Sequence, residues 1–306
     1  HTDAAQARAL FEQALEKRSR LGKEAALLLE SELGLLKLQQ HRQGGDSSDS
    51  KGAEEVKEFL PRGKTTLEDL QGADTAVYSA YYKLSSEYFK MAGPPEAFYK
   101  AALMRLAYTP LESLPRNDQL QLATDISLAA VTGDGVFNFG EVLATPALGV
   151  LEGTENAWLG ELLRLFNRGD IDGFGLLAAE HSAAMAAQPA LTARAEFVKE
   201  KIALLALMNM VFERPSHERT ISFADIAERT RLPVEQVEWL VMRAMSLSLV
   251  RGVMDEVEQE LHVTWVQPRV LDKEQLGHLV ERLDAWKDNV ANAHAYIEEQ
   301  TPELFG

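Results

Sequence analysis

The stretch that decides the fold is "FADIAERTRLPVEQVEWLVMRAMSLSLVRG", Phe223 to Gly252. It reads as a helix over Ala224–Thr230, a tight turn at Arg231–Pro233, and a second helix that stops ahead of a glycine. In the second helix Val237, Leu240, Val241, Ala244 and Met245 follow i, i+3, i+4, i+7, i+8 spacing, which marks a single buried face. The period changes on both sides. "RTISF" (219–223) reads as a short strand leading into the first helix. Leu249–Met254 and Leu261–Val266 read as two further strands around the acidic "DEVEQE". Strand, helix, helix, hairpin is the order of a winged helix, a shape that often lays its second helix in the major groove of DNA.

Charge argues against that use. The chain of 306 residues holds 31 Lys and Arg against 47 Asp and Glu, a net of −16, and such a field repels phosphate. Between Arg219 and Gln267 five basic residues stand against eight acidic ones, a local net of −3. The second helix presents Glu235, Gln236 and Glu238 at its start, where a reader of base edges carries Arg, Lys, Asn or Gln. The wing carries acids where phosphate contacts need Lys or Arg. Neither nucleic acid nor a membrane is therefore an expected partner. No apolar run reaches the ~18 residues of a membrane span.

Upstream, helical patterns dominate. Residues 4–40 hold two helical stretches that break near Gly22 or run together, and "HRQGGDSSDSKGAEE" (41–55) reads as a flexible linker. A further break is expected at "LPRGKTT" (60–66). From 67 to 212 helices follow one another with short glycine or proline breaks, including 75–93, 94–108, 116–135, 139–153, 154–170, 171–188 and 191–215. That spacing suggests paired helices stacked side by side. Downstream, Asp272 and Gln275 form a capping box. Leu276, Leu279, Leu283, Trp286, Val290, Ala293 and Ile297 then alternate in steps of three and four. This heptad seam covers roughly 40 Å of helix, and packing with helices of other chains is its simplest use.

The expected fold is thus mainly α. Residues 1–66 form N-terminal helices and a linker, 67–215 a helical-repeat arm, 216–270 a winged helix, and 271–306 a long C-terminal helix. The chain begins at His1 rather than at methionine, so further residues are expected before it.

Catalytic patterns are missing. There is no cysteine, which excludes disulfides, thiol catalysis and cysteine-based zinc sites. "RGKTT" (62–66) ends like a phosphate-binding loop, but Glu58 stands where that loop needs glycine. His1, His41, His181, His217, His262, His278 and His294 form no HxH or HExxH pattern, and no GxSxG elbow occurs. No catalytic residue, metal site or cofactor is expected.

The order of helical repeats, winged helix and C-terminal helix resembles that of PCI-domain proteins, and within them subunits of the proteasome regulatory-particle lid. The resemblance rests on "YYKLSSEYFK" (81–90), "FYKAAL" (98–103), "GDGVFNFGEVL" (133–143), "LLRLFNRGD" (162–170), "LLALMNMVFERP" (204–215), "VEWLVMRAMSLSLVRG" (237–252), "DEVEQELHVTWVQPRVLD" (255–272) and "ERLDAWKDNV" (281–290). It spans about three quarters of the chain and is weak over the first 65 residues. The resemblance implies a right-handed, TPR-like arm and a non-catalytic scaffold subunit of the 26S proteasome lid, in cytoplasm and nucleus. It implies partners among the other PCI and lid subunits, with winged helices side by side and C-terminal helices in one bundle. The lid's deubiquitinating activity belongs to a different subunit with an HxH metal motif, which this sequence lacks. The expected interface residues are Val253 and Val263 on winged-helix edge strands, together with the seam Leu276 to Ile297. A COP9 signalosome-like complex and a nucleic-acid-binding winged helix are the alternative readings.

Overall fold

The computed structural model describes residues 4–44, 50–70, 72–215, 218–270 and 273–300. The chain divides into two compact units, His1–Gln267 and Pro268–Gly306. The first unit begins with α1 (Ala4–Glu16) and α2 (Arg18–Gly44), the latter kinked at Gly22, whose φ of 78° favours glycine. Then come α3 (Ser50–Asp69), α4 (Thr75–Ala92), α5 (Pro95–Tyr108) and α6 (Arg116–Thr132). They are followed by α7 (Gly140–Leu143), α8 (Ala157–Arg168), α9 (Ile171–Glu180), α10 (Ser182–Ala186), α11 (Pro189–Thr192) and α12 (Ala195–Glu213).

The helix ends follow local chemistry. Asp74 accepts the Ala76 N–H at the start of α4, and Asp170 accepts the Gly173 N–H at the start of α9. Pro95 opens α5, where its missing N–H costs nothing. Gly169 ends α8 at φ 62°, and an added Cβ there would lie 2.6 Å from Ala206 Cα, so the glycine also lets α8 meet α12.

Several expected breaks fall elsewhere. α3 continues through Pro61 rather than breaking at 60–66. Its stripe Val56, Phe59, Leu60, Gly63 and Leu67 is buried, while Pro61 and Lys57, whose carbonyl loses its N–H partner, face water. Burial of that stripe outweighs the proline penalty of about 3 kcal/mol. The Tyr81 hydroxyl fixes it further by donating to Leu60 O at 2.8 Å. The expected linker at 41–55 is helical up to Gly44 and again from Ser50, and its centre lies outside the described residues. Lys37 of α2 pairs there with Glu55 of α3. The helix expected over 139–153 is instead α7 plus a 3-10 turn at Pro146–Leu151. Pro146 drives Thr145 into extended backbone and ends the run. The stretch 171–188 breaks at His181 into α9 and α10.

Two hydrophobic cores result among the described residues. One joins α2, α3 and α4 through Leu27, Leu35, Val56, Phe59, Tyr81 and Leu84. The other runs without interruption from Phe98 of α5, through Leu162, Phe166 and Leu205, to Ile221 and Val263. The cores therefore cross the expected boundaries at 66 and 215.

The winged helix consists of β1 (Thr220–Ser222), α13 (Phe223–Thr230), α14 (Val234–Ser246), β2 (Val250–Asp255) and β3 (Glu260–Val266). The sheet is antiparallel in the order β1-β3-β2, with Ile221 opposite Leu261 and Val253 opposite His262. Ser222 caps α13 by accepting the Asp225 N–H, and Arg231 ends it in left-handed backbone at φ 55°. Of the predicted stripe, Val237, Leu240, Val241 and Ala244 form the buried face of α14, and Met245 packs half-buried against the same core. In the second unit α15 spans Lys273–Gln300. The expected capping box at Asp272 and Gln275 falls outside the described residues or their described side chains, as do His1 and His217.

Candidate protein-interaction surfaces

The winged helix spends its arginines on its own chain. Arg231 forms a two-pronged pair with Asp172 of α9, Nε to Oδ1 at 3.1 Å and Nη2 to Oδ2 at 2.7 Å. Those hydrogen bonds hold the Asp172 carboxyl below the ordinary carboxylate range and raise the guanidinium. Arg229 reaches Glu213 at 3.0 Å and Arg243 reaches Glu200 at 2.8 Å, both acids lying on α12. Arg251 lies 4.8 Å over the Trp265 ring. Four of the five basic side chains thus fix the winged helix to the helical arm or to its own sheet. The acids of the wing, Asp255, Glu256 and Glu258, stay on the surface.

The wing has a built geometry. Asp255 accepts the Val257 and Glu258 N–H groups through Oδ1, which shapes the turn. The register shifts between Arg251 and Gly252, and a Cβ on Gly252 would lie 2.1 Å from His262 O. Only glycine fits this bulge. Val253 is 66% exposed on β2, an edge strand. Val263 does not sit on an edge. It lies on β3, the central strand, paired on both flanks, and its side chain packs into the core because it shares the inward face with Leu261.

The outward face of α14 carries two further large apolar residues. Trp239 is 51% exposed and Met242 47% exposed. Their signal was available: both are large and apolar, and both fall off the Val237–Leu240–Val241–Ala244 stripe.

On α15 all seven seam residues, Leu276, Leu279, Leu283, Trp286, Val290, Ala293 and Ile297, are exposed, Trp286 by 66%. Over 28 residues the helix also carries the local pair of Lys287 with Asp284. Such pairs support a helix by only a few tenths of a kcal/mol each. The seam places its large apolar groups along one face at coiled-coil spacing.

Elsewhere the polar interior is structural. Lys201 is buried on α12, and its ammonium donates to Ala130 O and Gly133 O at 2.7 Å each. The rings of Phe137, Phe139 and Phe197 surround it at 5.3–5.6 Å. Burial pushes its pKa down to about 7. Beside it Arg194 donates to Thr132 O and pairs with Asp134, so both cations finish the carbonyl end of α6. A groove of about 490 Å³ between α2, α4, α5 and α6 is lined by Lys90, Arg105, Glu87 and Asp125. Lys90 pairs with Asp125 and Arg105 with Glu87, so these charges answer one another. "RGKTT" lies inside α3, not in a strand-to-helix loop. Among the described residues no group of three or more His, Cys, Asp or Glu could hold a metal ion, and no helix is long and apolar enough to cross a membrane.

Comparison with known proteins divides the chain in the same order. Residues 1–163 match the PSD13 N-terminal repeats and residues 178–265 match the PCI domain. The "26S proteasome non-ATPase regulatory subunit 13 homolog B" of Arabidopsis thaliana is 40% identical over 288 residues, 94% of this chain and 72% of the relative. The "26S proteasome non-ATPase regulatory subunit 13" of Dictyostelium discoideum is 36% identical, covering 82% of this chain and 65% of the relative. The "26S proteasome regulatory subunit RPN9" of Saccharomyces cerevisiae is 33% identical, covering 82% and 63%.

Proposed function

Since the chain belongs to the family of 26S proteasome non-ATPase regulatory subunit 13, we propose that it is a non-catalytic scaffold subunit of the regulatory-particle lid. Its partners are the other PCI and lid subunits, in cytoplasm and nucleus, and its contribution to ubiquitin-dependent degradation is assembly. The winged helix and α15 are the working surfaces. The helical arm carries the winged helix, Thr220–Val266, and α15, Lys273–Gln300, supplies the bundle helix.

The observation that carries this reading is the seam of α15, where Leu283, Trp286 and Val290 are exposed on a 28-residue helix. A lone helix with that much apolar surface gains its stability from packing, so helices of neighbouring subunits are its natural cover. The engaged arginines support the same choice against DNA, since a phosphate-binding winged helix needs them free.

Affinity purification of the tagged chain, with mass spectrometry of what copurifies, tests the proposal. Lid subunits in stoichiometric amounts are expected. A COP9 signalosome-like set, or no stable set, would overturn it. A salt-dependent DNA mobility shift at physiological ionic strength would favour the nucleic-acid reading instead.

A further inference from the structure

We propose that the outward face of α14, the helix a DNA-binding winged helix would put in the major groove, docks an apolar patch rimmed with lysine or arginine on a neighbouring protein subunit. The proposal rests on the lid-scaffold reading above and names a surface and a partner chemistry within it.

The buried stripe of α14 leaves the opposite stripe, Glu235, Trp239, Met242 and Ser246, on the surface. A half-exposed tryptophan next to a half-exposed methionine is a costly pair to leave in water and a frequent anchor in interfaces. Each has an acid one turn before it: Glu235 precedes Trp239 by four residues and Glu238 precedes Met242 by four. The one cation on this helix, Arg243, is held by Glu200. The stripe is therefore apolar at its centre, with Glu235 and Glu238 at its N-terminal rim and uncharged Ser246 at its other end.

A second element carries an exposed apolar residue too. Arg231, three residues before Val234, grips Asp172 of α9, and Leu176 lies one turn beyond Asp172 and is strongly exposed. Val234, at the start of α14, is exposed as well. Charge then selects the occupant. An acidic rim repels phosphate and acidic protein surface, and it attracts a basic rim around an apolar seat.

The test uses the full chain co-expressed with the other lid subunits, each particle washed at rising salt. Trp239→Ala with Met242→Ala should lower retention about tenfold or more at a salt concentration that the unaltered chain survives. Glu235→Lys with Glu238→Lys should weaken retention without touching the apolar centre, and it keeps the proposal testable if the alanine pair disturbs folding. A photoreactive amino acid at position 239 should cross-link to a neighbouring subunit at a peptide rich in Lys or Arg. Unchanged retention of both folded variants, or a cross-link to an acidic peptide, would overturn the docking face while leaving the lid reading intact. Failure of the unaltered chain to enter the particle would overturn both.

Discussion

Arg231 and Asp172 form a two-pronged ion pair that ties the turn between the two winged-helix helices to α9 of the arm. Together with Arg229–Glu213 and Arg243–Glu200, it joins the winged helix to the arm. The pair is exposed, so it registers orientation rather than supplying much stability. Asp172→Asn tests it through pH. The Asp172 pKa is lowered from 3.8, chiefly by the Arg231 hydrogen bonds, so its contribution is complete above pH 3.8. The contribution disappears as pH falls through the lower folded value. Urea unfolding should show a small constant gap between wild type and variant from pH 7 to about 5, closing in stronger acid and shrinking with salt. A gap that persists at the acid limit would contradict this account.

Lys201 carries the opposite sign. Its folded pKa of about 7 lies below the ordinary 10.5, so between those values the unfolded chain binds more protons than the folded one. The lysine's contribution to stability therefore rises as pH climbs from about 7 towards 10.5. Asp134, Arg194 and Glu96 are the charged groups acting on it. Lys201→Met should lack that rise. Near pH 7 it should also lose about 1–3 kcal/mol, because the carbonyls of Ala130 and Gly133 lose their buried donor. Parallel stability curves for the two proteins would show that the ammonium does not titrate in this window.

Gly252 and Gly160 make a matched pair for backbone space. Gly252→Ala would put a Cβ 2.1 Å from His262 O and should destabilise the protein by about 1–3 kcal/mol as the β2–β3 bulge opens. Gly160→Ala, inside α8 with nothing within 4 Å of the new methyl, should stabilise by about 0.5–1 kcal/mol. Melting temperatures read both. An equal effect of the two changes would refute the bulge argument.

Much of the fold could be read from the sequence because local signals and tertiary packing agree there. The strand at 219–223, the Pro233 start and the core stripe of α14 all lie where spacing puts them. Reading failed where packing overrules punctuation. Pro61 and Gly63 look like a break, yet a buried stripe carries α3 through both. Glycine and serine made 41–55 look like one long linker, although α2 and α3 enter it from both ends. Strand order was also out of reach. Alternation marks Val263 as a strand residue but cannot say that β3 is central. At the candidate surfaces, the α15 seam was legible from its heptad spacing. Trp239 and Met242 follow no period of their own; they are the large apolar residues of α14 that fall off its buried stripe.

The central claim is assembly through the C-terminal helix. The direct measurement is incorporation of a chain truncated before Asp272 into regulatory particles, alongside its melting temperature alone. The account predicts a truncated protein that melts cooperatively, because both hydrophobic cores end before the cut, yet is lost from the purified particle. Normal, salt-stable incorporation of that folded, truncated chain would contradict it.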